Sequence, residues 1–215
     1  MDAVIENFPT FLAGFGQTLS LFAIAGLGAF VLGVIVATLR ISPIASFRTI
    51  ATIYTEVVRN TPLTLVLFGC AFILPYLDVR LDFFVLAAIG LTVYTSPFVA
   101  EAIRSGVNGV PIGQAEAARS IGLTFGQSLS TVVMPQAIRM VIPPLINVFI
   151  ALVKNTSVAG AFFVVELFAA ARIVINVRGD QVIAILLAVA AFYLVVTIPL
   201  GQLAAALEKR VAVLR

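Results

Sequence analysis

Five stretches, each about twenty residues long and almost free of charge, constrain this chain more than any other feature. Residues 17–39, 55–76, 83–105, a run beginning after Arg139, and 182–206 are each long enough to cross a bilayer as a helix. In hydrocarbon every backbone N–H and C=O must be satisfied within the segment, so such runs fold as helices. The composition agrees: 61% of the residues are hydrophobic and 11% charged, against ~25% charged in a soluble domain. The expectation is an all-α, polytopic helix bundle of five spans. Residues 1–16 form an external or interfacial segment, 17–206 the transmembrane domain and 207–215 a tail. Asp2 and Glu6 stand where a cleavable leader would carry basic residues, so no signal peptide is read.

The same inventory excludes several functions. There is no histidine and one cysteine, Cys70, inside an apolar run. No disulfide within the chain, no histidine-based catalysis and no metal site is expected. A net charge of +3 is too small to argue for nucleic acid. The two lysines, Lys154 and Lys209, follow no glycine-rich loop, so no P-loop is present and the chain is not expected to be an enzyme.

Small residues recur every fourth position at Ala25, Ala29, Gly33 and Ala37, and again at Ala88, Thr92, Ser96 and Ala100. Both stripes permit close helix packing, within the chain rather than across a dimer seam. Arg40 to Ile53 reads as a polar, basic connection. Pro62 breaks the backbone ladder near the start of the second span and leaves Glu56, Arg59, Asn60 and Thr61 at the membrane boundary. Glu56 and Arg59 are three apart, and pairing with each other is an alternative to lining a path. Lys154-Asn155-Thr156-Ser157 falls deep within the fourth span. A lysine there must reach water or an acid. It is read either as part of a translocation path or as the structural partner of Glu166 or Glu101. Glu166 is itself a candidate path residue.

One segment between apolar runs has the marks of a built element. In PIGQAEAARSIGLTFGQSLSTVVMP, residues 111–135, Pro111 suits a helix start and Gly122 a left-handed cap. Thr124 and Gln127 have capping-box spacing, and Pro135 marks the end of a second short helix. Ala115, Ala117 and Ala118 let another protein approach closely, with Gln114, Glu116 and Arg119 at the edge. On these residues alone, a docking knob and a merely solvated loop both remain open.

Glu116-Ala117-Ala118, then Gly122, Val132 and Met134-Pro135 resemble, at full spacing, the EAA motif of ABC importer permeases. Val132 and Met134 replace isoleucine and leucine. TEVVRNTPL, AEAIRSGVNGVPIGQAEAARSIG and LVKNTSVAG are similar to segments of the polar amino-acid branch, which handles histidine, glutamate or glutamine. Within it, VRNTPLTLV, YTSPFVAEAIRSGVN and GQAEAARSIGL resemble permeases of actinobacterial glutamate importers. The resemblance implies a type I importer permease whose loop, 106–139, is a coupling helix seated on a separate ATPase that binds ATP and magnesium. It implies alternating access, an extracytoplasmic solute-binding protein, and a second permease, a different chain rather than a second copy. Glutamate or a related amino acid is the expected cargo. Lys154 occurs in importers of cationic and neutral amino acids alike, so it does not select an anion.

With the coupling loop inside a bacterial plasma membrane, Arg40, Arg48, Arg59, Arg104, Arg119, Arg139, Lys209, Arg210 and Arg215 are cytoplasmic. Arg80, Arg172 and Arg178 are external. This bias places the N-terminus outside and the C-terminus inside. A secondary transporter, which would need Glu101 or Glu166 for ion coupling, and a non-transporting scaffold are the competing classes.

Overall fold

A computed structural model describes residues 2–212, so the tail from 213, with Arg215, lies outside the described residues. Its order is α1 (Asp2–Glu6), α2 (Phe8–Arg40), α3 (Ala45–Arg59), α4 (Leu63–Tyr76), α5 (Phe83–Asn108) and α6 (Ile112–Ser120). Then come α7 (Phe125–Ala161), α8 (Leu167–Val177) and α9 (Val182–Ala212). Among the described residues there is no strand. Four helices are individually long and apolar enough to cross a membrane, and the bent pair α3–α4 makes up to five.

The bundle is organised on α2 and α5, through the two small-residue stripes. Ala25, Ala29, Gly33 and Ala37 are buried, as are Ala88, Ser96 and Ala100. A Cβ on Gly33 would lie 2.5 Å from Val99 Cγ1, so only glycine lets the two backbones approach there. Leu63, Leu67 and Ala71 of α4 close one core against Leu91 and Leu152. A second core gathers Phe11, Leu167, Val174 and Ile185.

Three boundaries differ from expectation. The first span begins at Phe8, not residue 17; Phe11 is fully buried, and that contact draws the helix out past its membrane-length core. The connection over residues 40–53 is largely helix. Its α3 buries Ala51 and Thr55 and exposes Phe47, Ile50, Ile53 and Val57. The expected span 55–76 is therefore two helices bent by 102°, because Pro62 is extended (φ −59°, ψ 137°). At 1.5 Å per residue α4 reaches about 21 Å, short of a ~30 Å hydrocarbon core.

Pro135 does not end a helix. The chain stays helical from Phe125 to Ala161, widening into a π-turn over Ser128–Val133 just before Met134-Pro135. Proline removes one backbone donor and crowds the preceding turn, and a wider turn accommodates both. The same device precedes Pro75, where Gly69–Ile73 is π-helical. The helix that carries the fourth span thus starts well before Arg139.

Candidate coupling loop and membrane groove

The loop between α5 and α7 is held by local hydrogen bonds. Helix α6 follows an extended Pro111 and ends in a left-handed Gly122 at φ +89°. Gly122 N–H donates to Arg119 O (3.0 Å) and Leu123 N–H to Ala118 O (3.2 Å). These two bonds form a complete Schellman cap. One residue later the Thr124 hydroxyl accepts from Gln127 N–H, and Thr124 N–H donates to the Gln127 side chain at 2.9 Å. The turn between the helices is specified on both sides.

The outward surface of this loop is more apolar than its alanines suggest. Gln114, Glu116, Ala117 and Arg119 are exposed, but Ala118 is buried, in a helix that packs against 128–133. Ala118 is therefore a packing residue, not part of the presented face. Ile112, Ile121 and Phe125 are instead 78%, 79% and 73% exposed. Sequence reasoning missed them by looking for small residues. Large apolar side chains in an otherwise polar, capped loop were the available signal.

Between α5 and α7 lies a groove of about 520 Å³, lined by Tyr94, Thr95, Phe98, Asn147, Ala151 and Asn155 among others. None of its lining residues is acidic. Thr95 Oγ1 is buried without a partner among the described residues, so it has hydrogen-bonding capacity in hand.

The expected path residues divide. Asn155 lines the groove. Lys154 is exposed and forms no ion pair among the described residues. Thr156 is fully buried with its hydroxyl donating to Val153 O at 2.7 Å, which removes it from any path surface. Ser157 borders a separate depression with Phe168 and Arg172, and its hydroxyl donates to Lys154 O. The cause is the change from α-helix to 3₁₀ at Thr156, which resets the facing of successive side chains.

Glu166 faces the bundle interior and does not line this groove. It is fully buried and caps α8, accepting from Phe168 N–H (2.9 Å), Ala169 N–H (2.8 Å) and Tyr193 O–H (3.2 Å). A helix start inside an apolar bundle needs an acceptor for its orphan donors, and Glu166 supplies it. It is consequently no partner for Lys154.

Nor is Glu101, which Arg104 grips with two bonds (3.0 and 2.9 Å) and Arg40 also contacts. Arg59 stands 3.8 Å from Glu101 and lies over the Phe98 ring at 5.6 Å. It does not pair with Glu56, because it sits at the C-terminal end of α3, where that helix meets α5. Asn60 and Thr61 at the bend donate to the backbone oxygens of Glu56 and Val57, each at 2.7 Å.

A capped loop continuous with a largely apolar groove that carries a few amide and hydroxyl groups finds its counterpart among known proteins. Residues 29–213 match the family of binding-protein-dependent transport system inner membrane components. The chain belongs to that family. A probable glutamine ABC transporter permease of Bacillus subtilis is 44% identical, over 98% of this chain and 97% of its own. A glutamate transport system permease of Corynebacterium glutamicum is 39% identical, with 95% of each covered. A crystal structure of an amino acid ABC transporter with histidines superposes with a TM-score of 0.88 at 30% identity, over 96% of each chain. The MetNI methionine ABC transporter, at 19% identity and a TM-score of 0.71, shares the fold. The protein is a multi-pass inner membrane component with the type I ABC importer permease fold.

Proposed function

We propose that this permease carries a polar amino acid of the glutamate or glutamine class into the cell, driven by ATP hydrolysis on a separate subunit. One observation carries the mechanism. A single helix, α7, holds Phe125 at its docking end and Asn147 and Asn155 in the groove. A push on the loop is transmitted along about 40 Å of continuous helix. ATP-driven closure of the ATPase pair would tilt α7 against α5 and change which end of the groove is open.

The loop residues Gln114, Glu116, Ala117, Arg119 and Gly122, with Ile112, Ile121 and Phe125, form the ATPase contact. Lys154, Asn155, Thr95 and Asn147 face the substrate. Residues 59–61, beside the bend, lie at the loop-side mouth. A second permease, a different chain, completes the pathway, and a solute-binding protein delivers cargo to the outer face. The coupling loop and C-terminus are cytoplasmic, and the N-terminus external.

The test is reconstitution in liposomes with the ATPase, the second permease and the binding protein, measuring uptake of radiolabelled L-glutamate and L-glutamine. Uptake of at least one should require ATP inside the ATPase compartment. Uptake that persists without the ATPase would overturn the proposal.

A further inference from the structure

The Glu101 cluster is unbalanced. Three guanidinium groups, from Arg40, Arg59 and Arg104, converge on one carboxylate, leaving two positive charges in excess. The three are not equivalent. Arg104 engages both carboxylate oxygens at hydrogen-bond distance, and Arg40 contacts Oε1 from a side chain only 13% exposed. Together they satisfy Glu101. Arg59, at 3.8 Å and 38% exposed, is beyond hydrogen-bond range of that carboxylate. No acceptor among the described residues takes any of its five donors. It is positioned instead by the face of Phe98, and Phe98 is a wall of the groove.

An arginine placed over an aromatic ring, with its fork of donors free, suits bidentate capture of a planar anion. Every amino acid carries such an anion in its α-carboxylate. We propose that Arg59 is a carboxylate-binding residue at the loop-side mouth of the groove, with Glu101 as its resting electrostatic partner. Substrate leaving the groove trades the polar contacts of Asn147 and Asn155 for the Arg59 guanidinium, whose attraction to Glu101 at 3.8 Å is weak enough to be exchanged. The site recognises the α-carboxylate rather than the side chain, so it serves any amino acid that reaches it. This inference rests on the transport reading above.

The experiment uses the reconstituted complex and reads amino acid transported per ATP hydrolysed, with L-glutamate and L-glutamine as probes. Arg59→Gln should lower this ratio at least tenfold, by the same factor for both probes, and Arg59→Lys should restore part of it. A purely structural arginine would depress uptake and hydrolysis together and leave the ratio unchanged, which overturns the inference. A drop confined to L-glutamate would assign Arg59 to the side-chain carboxylate and also overturn it. So would a ratio that in the wild type needs phosphatidylglycerol and in Arg59→Gln does not, since Arg59 would then hold a lipid phosphate. Failure of the wild type to transport either probe with ATP would instead sink the transport reading itself.

Discussion

At the scale of single residues, two positions carry consequences out of proportion to their size. Gly122 holds φ +89° with open space around its Cβ position, so substitution there is limited by backbone conformation and not by crowding. A β-branched side chain in the left-handed region costs roughly 1–2 kcal/mol or more. Helix α6, at nine residues, is too short to hold its shape against that cost. Gly122→Val should therefore cut substrate-stimulated ATP hydrolysis severalfold while the complex still assembles; unchanged stimulation would remove this account of the cap. Glu166 is the second position. Truncation to alanine strands two buried backbone donors and the Tyr193 hydroxyl, at about 1–3 kcal/mol for each group left unpaired. Glu166→Ala should lower the thermal midpoint of the purified complex markedly, and Glu166→Gln, which keeps one acceptor, less so. Equal midpoints for wild type and Glu166→Ala would show that the cap is dispensable.

At the scale of elements, α7 is the piece on which the proposed coupling depends. Sequence patterning divides it at Pro135 into a loop helix and a span, because proline is the strongest local helix breaker. The structure keeps it whole by widening to a π-turn before the proline. Two glycines inserted after Arg139 should leave the loop able to stimulate hydrolysis but stop uptake, since force no longer reaches Asn147 and Asn155. Uptake within twofold of wild type would show that a stiff α7 is unnecessary. Pro62 is the opposite case: sequence patterning predicts a single span there, and a 102° bend divides it. The two prolines differ in the backbone around them. Pro62 itself leaves the helix in an extended conformation (ψ 137°), whereas Ser128–Val133 stays helical and widens ahead of Pro135.

At the scale of the whole molecule, the distribution of arginine and lysine is the basis of the proposed orientation. Cysteine placed singly at Ile112 and at Ile5, in a Cys70→Ser background, should react with a membrane-impermeant maleimide from opposite sides. Ile112 should label only after the cytoplasmic face is opened, and Ile5 in intact cells; both are well exposed, at 78% and 71%. The reverse pattern would invert the proposed topology.

Fold class, the capped loop and the close-packing faces of α2 and α5 were legible in the sequence, because each rests on local rules. Apolar length makes a span, small residues at every fourth position make a close crossing, and a glycine two residues before the Thr124–Gln127 capping box makes a specified turn. Lys154, Glu166 and Arg59 were not legible in their roles. An ionisable residue in an apolar run is chosen for by whatever lies opposite it, and that partner comes from elsewhere in the chain. Glu166 meets the start of its own helix, Arg59 meets Phe98 near Glu101, and Lys154 meets no acid among the described residues. What the sequence by itself determined is therefore what hydrogen-bond satisfaction within a segment and side-chain periodicity dictate. Only the tertiary structure decided which charge is paired, which is left exposed and which is sealed in the bundle, because electrostatic pairing acts through space and is indifferent to order along the chain.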